Sequence, residues 1–294
     1  MAGGNGLSAA HPRAYPQRVV GRRSRWPPGA GSRTGAGGLR HGSPLRGLVA
    51  VTPIIRRMDV HIDHPAFQVA AARRMLARGG CESRVAGQVA LRDPDRPDTF
   101  WVSPWGYFDE TLPDHVVLVS MDLQVLSGAG GVSPAVGFHA QMLRDRPAAG
   151  AVIHTHSPYV EVLSTTGAEV GMYSADACLF HDEQAHYFDD GVRPIVDGPR
   201  MSAALGDRSV LWLGNHGVVI VAESLALATV KAITLETSAR CHVEAQMIGG
   251  KEMPIAEAVR SKGLYLQNFI GAMWEANWRR LRRSDPDLFE VLGA

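Results

Sequence analysis

Two short apolar runs, each ending on histidine, limit what this chain can fold into more than any other feature. The first is Gly150-Ala151-Val152-Ile153-His154-Thr155-His156, which reads as a buried strand. Side chains alternate along a strand, so His154 and His156 point the same way. The second runs from Val210 to Val221 and is interrupted by Gly214-Asn215-His216-Gly217. It offers a third imidazole, with Gly217 permitting close backbone approach. Three such nitrogens form a metal site with an open coordination position, as catalytic metals need. A lone histidine at a strand end is more often a hydrogen-bonded residue than a ligand. The same-face pair, followed by Ser157-Pro158-Tyr159 and matched by Asn-His-Gly, favours the metal.

The 294 residues, 45% of them hydrophobic, suffice for one substantial α/β core. No apolar run reaches the roughly 18 to 20 residues of a membrane helix, so no membrane partner is expected. Cys81, Cys178 and Cys241 are widely spaced and odd in number, which argues for a reducing compartment and against a cysteine-bound metal. Residues 1–57 hold ten arginines and no acidic residue, so the formal charge of +1 conceals an acidic remainder. No nucleic-acid partner is expected for that remainder. The Gly/Arg-rich stretch 1–57 is expected to be disordered. Composition changes abruptly at Met58, where natural translation is expected to begin, and 58–294 reads as one domain with C-terminal helices.

Along the chain, Pro65 to Arg78 has helical spacing. Val85 to Leu91, Thr99 to Val102, Val116 to Met121 and Gln124 to Leu126 read as antiparallel strands. A helix is expected over Pro134 to Arg146, with His139, Met142 and Leu143 on one side. Ser157-Pro158 starts the next. The segment Ala175 to Asp190 reads as an irregular, solvated loop rich in functional side chains, among them His181 and His186, with a place on the rim of the histidine pocket as the alternative. A strand Val192 to Val196, a small helix from Pro199, and two long helices, Leu225 to Met247 and Ile255 to Leu281, complete the expectation. The arginines near 280 read as a helix cap.

These motifs, in order, resemble the class II aldolase/adducin family: Gly87-Gln88-Val89-Ala90-Leu91-Arg92, Ser103-Pro104-Trp105-Gly106, Asp114 to Asp122, His139, Arg146-Pro147, His154-Thr155-His156-Ser157 and Asn215-His216-Gly217. The resemblance covers about Pro65 to Pro254. It implies an α/β/α sandwich around a mainly antiparallel sheet, one divalent metal ion per subunit on His154, His156 and His216, and a homotetramer with active sites at subunit interfaces. Zinc is the first expectation for the metal, although three neutral imidazoles suit iron or manganese nearly as well.

Two departures separate the chain from the family's sugar-phosphate aldolases. The glutamate that serves those enzymes as acid/base is here Ala135. Their phosphate-binding Gly-Asn-x-Ser is Gly87-Gln88-Val89-Ala90, without the hydroxyl. Aldol cleavage needs both groups. With Phe100-Trp101-Val102-Ser103-Pro104-Trp105-Gly106, the pattern is more similar to metal-dependent decarboxylases of hydroxylated aromatic acids such as dihydroxyphthalate. The expectation is therefore a cytoplasmic metal-dependent lyase acting on a small aromatic acid. Tyr159 is its first candidate proton donor, followed by His181 and His186. Trp101, Trp105, Phe108 and Met172 are candidates for an apolar pocket. An iron(II) oxygenase acting on a prenylated hydroxyphenylpyruvate fits the same ligands. A sugar-phosphate aldolase and an adducin-like interaction module rank below it, the latter because this chain retains all three histidines.

Overall fold

Helix α1 (Pro65–Arg78) is capped by the His64 ring, which accepts from the Ala66 amide, and Pro65 sits where a helix needs no donor. The computed structural model describes residues 61–103, 105–189 and 197–292. Strands β1 (Gln88–Arg92), β2 (Thr99–Val102), β3 (Val117–Ser120) and β4 (Val125–Ser127) follow as a meander. Next come α2 (Val136–Asp145), β5 (Ala151–Thr155), α3 (Pro158–Ser164), β6 (Gln184–Tyr187) and α4 (Gly198–Leu205). A hairpin of β7 (Val210–Leu213) and β8 (Gly217–Ala222) leads into α5 (Leu225–Met247). The helices α6 (Ile255–Leu264), α7 (Ile270–Ser284) and α8 (Pro286–Glu290) end the described chain.

The eight strands form one sheet in the order β4-β3-β2-β1-β5-β8-β7-β6. Every neighbouring pair is antiparallel except β6 and β7. Alternation sends Val89, Ala151, Ile153, Trp212, Val218 and Ile220 into a core with α1, α3, α5, α7 and α8. Ala90, Val152, Leu211, Leu213, Val219 and Val221 meet α2 and α4 on the other face. This is the expected α/β/α sandwich. His154 pairs with Val219, and its ring meets Phe138 of α2, so it lies on the α2/α4 side. All of β5 and β8 is buried, and a one-residue slip between them would turn His154 into the opposite core.

The segment Ala175 to Asp190 is a correction. It holds a 3-10 turn, Ala175–Phe180, and then β6, paired parallel to β7. Gln184 and His186 masked the strand because its polar residues alternate with only two apolar ones. The last long helix is interrupted by a π-helical turn, Tyr265–Phe269, between Gly263 and Gly271. The expectations for residues 1–57, for a start at Met58, for Pro104 and for the strand Val192 to Val196 lie outside the described residues. Among the described residues no helix is long and apolar enough to cross a membrane.

Candidate metal centre

The three histidines of the sequence pattern meet where the C-terminal end of β5 abuts the start of β8. His154 is 2% exposed, while His156 and His216 are partly buried. One ring nitrogen from each lies within 4.8 Å of the others. The His154 and His156 Nε2 atoms are 2.8 Å apart. Nitrogens sharing one tetrahedral ion at bonds of about 2.0–2.1 Å lie roughly 3.3 Å apart, so the observed spacings bracket what an ion would set.

Several backbone contacts hold this arrangement. His154 Nδ1 donates to the Val218 carbonyl at 2.9 Å, which fixes the tautomer and leaves Nε2 free to ligate. The His156 amide donates to Ser83 Oγ at 2.8 Å, and Ser83 in turn donates to the Cys81 carbonyl. Beyond His156, the amides of Tyr159 and Val160 both donate to the buried Glu236 carboxylate from α5, fixing the start of α3. His216 sits in the β7–β8 turn, where Asn215 takes a left-handed φ of 56°. Gly217 is held so close to β5 that an added Cβ would lie 2.3 Å from the Thr155 carbonyl oxygen.

Burial lowers the pKa of all three imidazoles: His154 well below the ordinary value, His156 to about 4, and His216 in the same direction. Neighbouring imidazoles add to the effect at His154 and His156. Near neutral pH the three rings are therefore uncharged lone-pair donors, the form that binds a divalent ion. The donor set fits such an ion. Beside His216 lies a cavity of about 360 Å³ lined by Tyr187, Asp189, Leu213, Gly214, Asn215 and His216.

The other sequence candidates are not gathered here. The Tyr159 hydroxyl donates to Glu244 of α5 at 3.2 Å, and the Arg240 guanidinium lies over its ring. His181 pairs with Asp182 at 3.2 Å, and its carbonyl accepts from Lys262. His186 is opposite Trp212, whose indole belongs to the α1/α5 core, so it projects from the face of the sheet opposite to His154. Trp101 and Phe108 are core residues, the first donating to Asp93 and the second lying under Arg73. Trp105 is half exposed, and Met172 packs in a small cluster with Cys178 and Ala258.

Sequence reasoning assigned no role at the site to two residues that lie beside it. Gln88 pairs directly with His154 across β1 and β5, is 2% exposed, and leaves its side-chain oxygen without a partner. Tyr187, next to the His186 that drew attention, is the residue of β6 that turns toward the cavity. Strand alternation could have excluded one of the two neighbours, had the register been known.

Comparison with known proteins agrees with this architecture. The described family "Class II Aldolase and Adducin N-terminal domain" matches residues 67–243. A "4-hydroxy-3-prenylphenylpyruvate oxygenase/4-hydroxy-3-prenylbenzoate synthase" of Streptomyces roseochromogenus subsp. oscitans is 32% identical over 224 residues, covering 72% of this chain and 80% of that protein. "Decarboxylase NovR" of Streptomyces niveus is also 32% identical, over 72% of this chain and 82% of its own length. Among solved structures, an aldolase II superfamily protein from Pseudomonas syringae superposes with a TM-score of 0.69 at 23% identity, covering 76% of this chain and 94% of that one. With the family's pattern spanning most of the sheet and the helices around it, this chain belongs to the class II aldolase and adducin N-terminal domain family.

Proposed function

We propose that the protein is a metal-dependent carbon–carbon lyase that decarboxylates a hydroxylated aromatic acid. The observation that carries this reading is the convergence of three uncharged imidazoles beside a half-open cavity of about 360 Å³. His154, His156 and His216 would hold one divalent ion per subunit, with zinc as the first expectation. Such an ion supplies Lewis-acid stabilisation of the negative charge that develops as carbon dioxide leaves. The chain's own part is to keep the three rings neutral by burial and to fix His154 through Val218. The apolar wall of Leu213 and the ring of Tyr187 exclude water from the acid's aromatic body. The bond between the substrate carbon and its carboxylate breaks, and the electron pair left on that carbon takes up a proton from solvent water at the open side of the cavity. Ala135 at the head of α2 brings no carboxylate, and Ala90 brings no hydroxyl, so neither supports sugar-phosphate cleavage.

One observation favours a second reading. The relative from Streptomyces roseochromogenus bears an oxygenase name and acts, by that name, on an aromatic 2-oxo acid. An iron(II) oxygenase would use the same three histidines. To separate the two, metal content is measured on protein purified without added metal, and carbon dioxide release from hydroxylated aromatic acids is followed anaerobically. Zinc or manganese with oxygen-independent release supports the decarboxylase; iron with turnover only in oxygen assigns the oxygenase. Alanine at position 154, 156 or 216 should remove both metal and turnover while the protein stays folded. Full turnover in a metal-free variant would refute both readings. The homotetramer is proposed with this function, and light scattering on the purified protein tests it.

A further inference from the structure

The turn that leads into β1 carries a charged group next to the histidines that the metal centre does not use. Ser83 Oγ accepts from the His156 amide at 2.8 Å, and the next residue, Arg84, takes a φ of 53°. That left-handed conformation is uncommon for a residue with a Cβ, and such conformations gather at functional sites where the surroundings hold them. Here the hold comes from both sides. The Ser83 amide donates to the Glu82 carboxylate, which also accepts from the Phe108 amide, and the Ala86 amide donates to the Ser83 carbonyl. The Arg84 side chain is 71% exposed, so a ligand can reach its guanidinium, which pairs with Glu161 of α3 at 3.2 and 3.5 Å. Both charges act on the histidines. Burial and then His216 lower the His156 pKa, and the Arg84 charge lowers it further; at His216, where burial lowers the pKa, the Glu161 charge opposes the shift. An exposed ion pair contributes little to stability. A carboxylate arriving from solvent can therefore displace Glu161 with little loss, and beside a divalent ion it meets two cationic centres instead of one.

We infer that Arg84 is a specificity residue that leaves Glu161 and pairs with a second acid group of the substrate, the one that is not lost. The inference rests on the proposed function, since it places the departing acid group at the histidines. A cation paired with a carboxylate stabilises its charge and opposes its loss as neutral carbon dioxide. The group on Arg84 is therefore the one retained, and the substrate class is an aromatic dicarboxylic acid. The planar guanidinium matches two carboxylate oxygens at once.

The test uses the zinc-loaded full chain and calorimetry with benzoate, phthalate and isophthalate, the diacid that wild type binds more tightly serving as reporter. Each acid is compared between variants, so a diacid's own advantage in chelating the ion cancels. Arg84→Gln should weaken the diacid at least about fivefold and leave benzoate within about twofold. Glu161→Gln, which loosens the hold on Arg84, should tighten the diacid at least about twofold more than benzoate. Opposite signs separate recognition from a structural tie, since breaking a tie from either side has the same effect. A smaller diacid loss in Arg84→Gln, equal weakening of both acids, or shifts of the same sign in the two variants would overturn the inference. Carbon dioxide release from 3,4-dihydroxyphthalate is followed in parallel. The expected shifts without release keep the role of Arg84 and sink the decarboxylase. Release without those shifts sinks only the role of Arg84, and failure of wild type to bind any of the three acids overturns both.

Discussion

Gly217→Ala tests the geometry of the metal centre at its tightest point. The added Cβ would lie 2.3 Å from the Thr155 carbonyl oxygen and 2.9 Å from His156 Cδ2. Ordinary contact begins near 3.4 Å, so the strands must part by about 1 Å where they abut. The obstructing carbonyl cannot swing aside, because Thr155 is paired with Val218 in the centre of the sheet. Such overpacking costs about 1–3 kcal/mol, which in a chain of this size lowers Tm by roughly 2–12 °C. The same displacement separates His156 from His216, since the first is one of the clashing groups and the second is the neighbouring residue. Changes just outside a ligand set cost about 10- to 100-fold in metal affinity. Thermal melting of the metal-free protein and a chelator competition with zinc read the two effects separately. Gly263→Ala is the control: its Cβ meets open space on α6, so affinity should hold and stability should rise by about 0.5–1 kcal/mol. A Gly217→Ala protein with unchanged Tm and zinc affinity within about threefold of wild type would refute the reasoning.

Two further outcomes are expected. Burial holds the His139 ring down to about 3, whereas it titrates at 6.5 when unfolded. The unfolded chain therefore takes up the proton first, and the stability this residue contributes is fully present above pH 6.5 and is lost as pH falls toward 3. By pH 5 its share of the loss is about 2 kcal/mol; His139→Leu should flatten the stability profile between pH 7 and 5 by that amount, and an unaltered slope in urea titrations would contradict the assignment. Because the Tyr159 hydroxyl is spent on Glu244, Tyr159→Phe should keep kcat within about threefold, whereas a loss of about 10²-fold or more would return Tyr159 to the role of proton donor.

Much of the site was legible in residue order. His154 and His156 share a face because strands alternate, and a glycine after His216 signals close backbone approach; both are local consequences of residue spacing. The helix Pro65–Arg78, the strand Ala151–Thr155 and the helix Leu225–Met247 have the expected bounds, since each is a strongly patterned run with its own start signal. What sequence could not assign was β6 and the direction of isolated polar side chains. A four-residue edge strand with two polar positions has no local signature distinct from a loop, and it forms because the side of β7 away from β8 offers it unpaired backbone groups.

The sequence by itself therefore determined the layered α/β architecture, the three histidines and the absence of the aldolase glutamate, because each rests on identity and spacing along a few residues. Only the tertiary structure decided that Tyr187 and not His186 faces the cavity, that Tyr159 turns to α5, and that Gln88 lies beside His154. Those outcomes depend on register between strands and helices far apart in the chain. A shift of one residue in that register exchanges which side chains meet the site while leaving every local pattern unchanged.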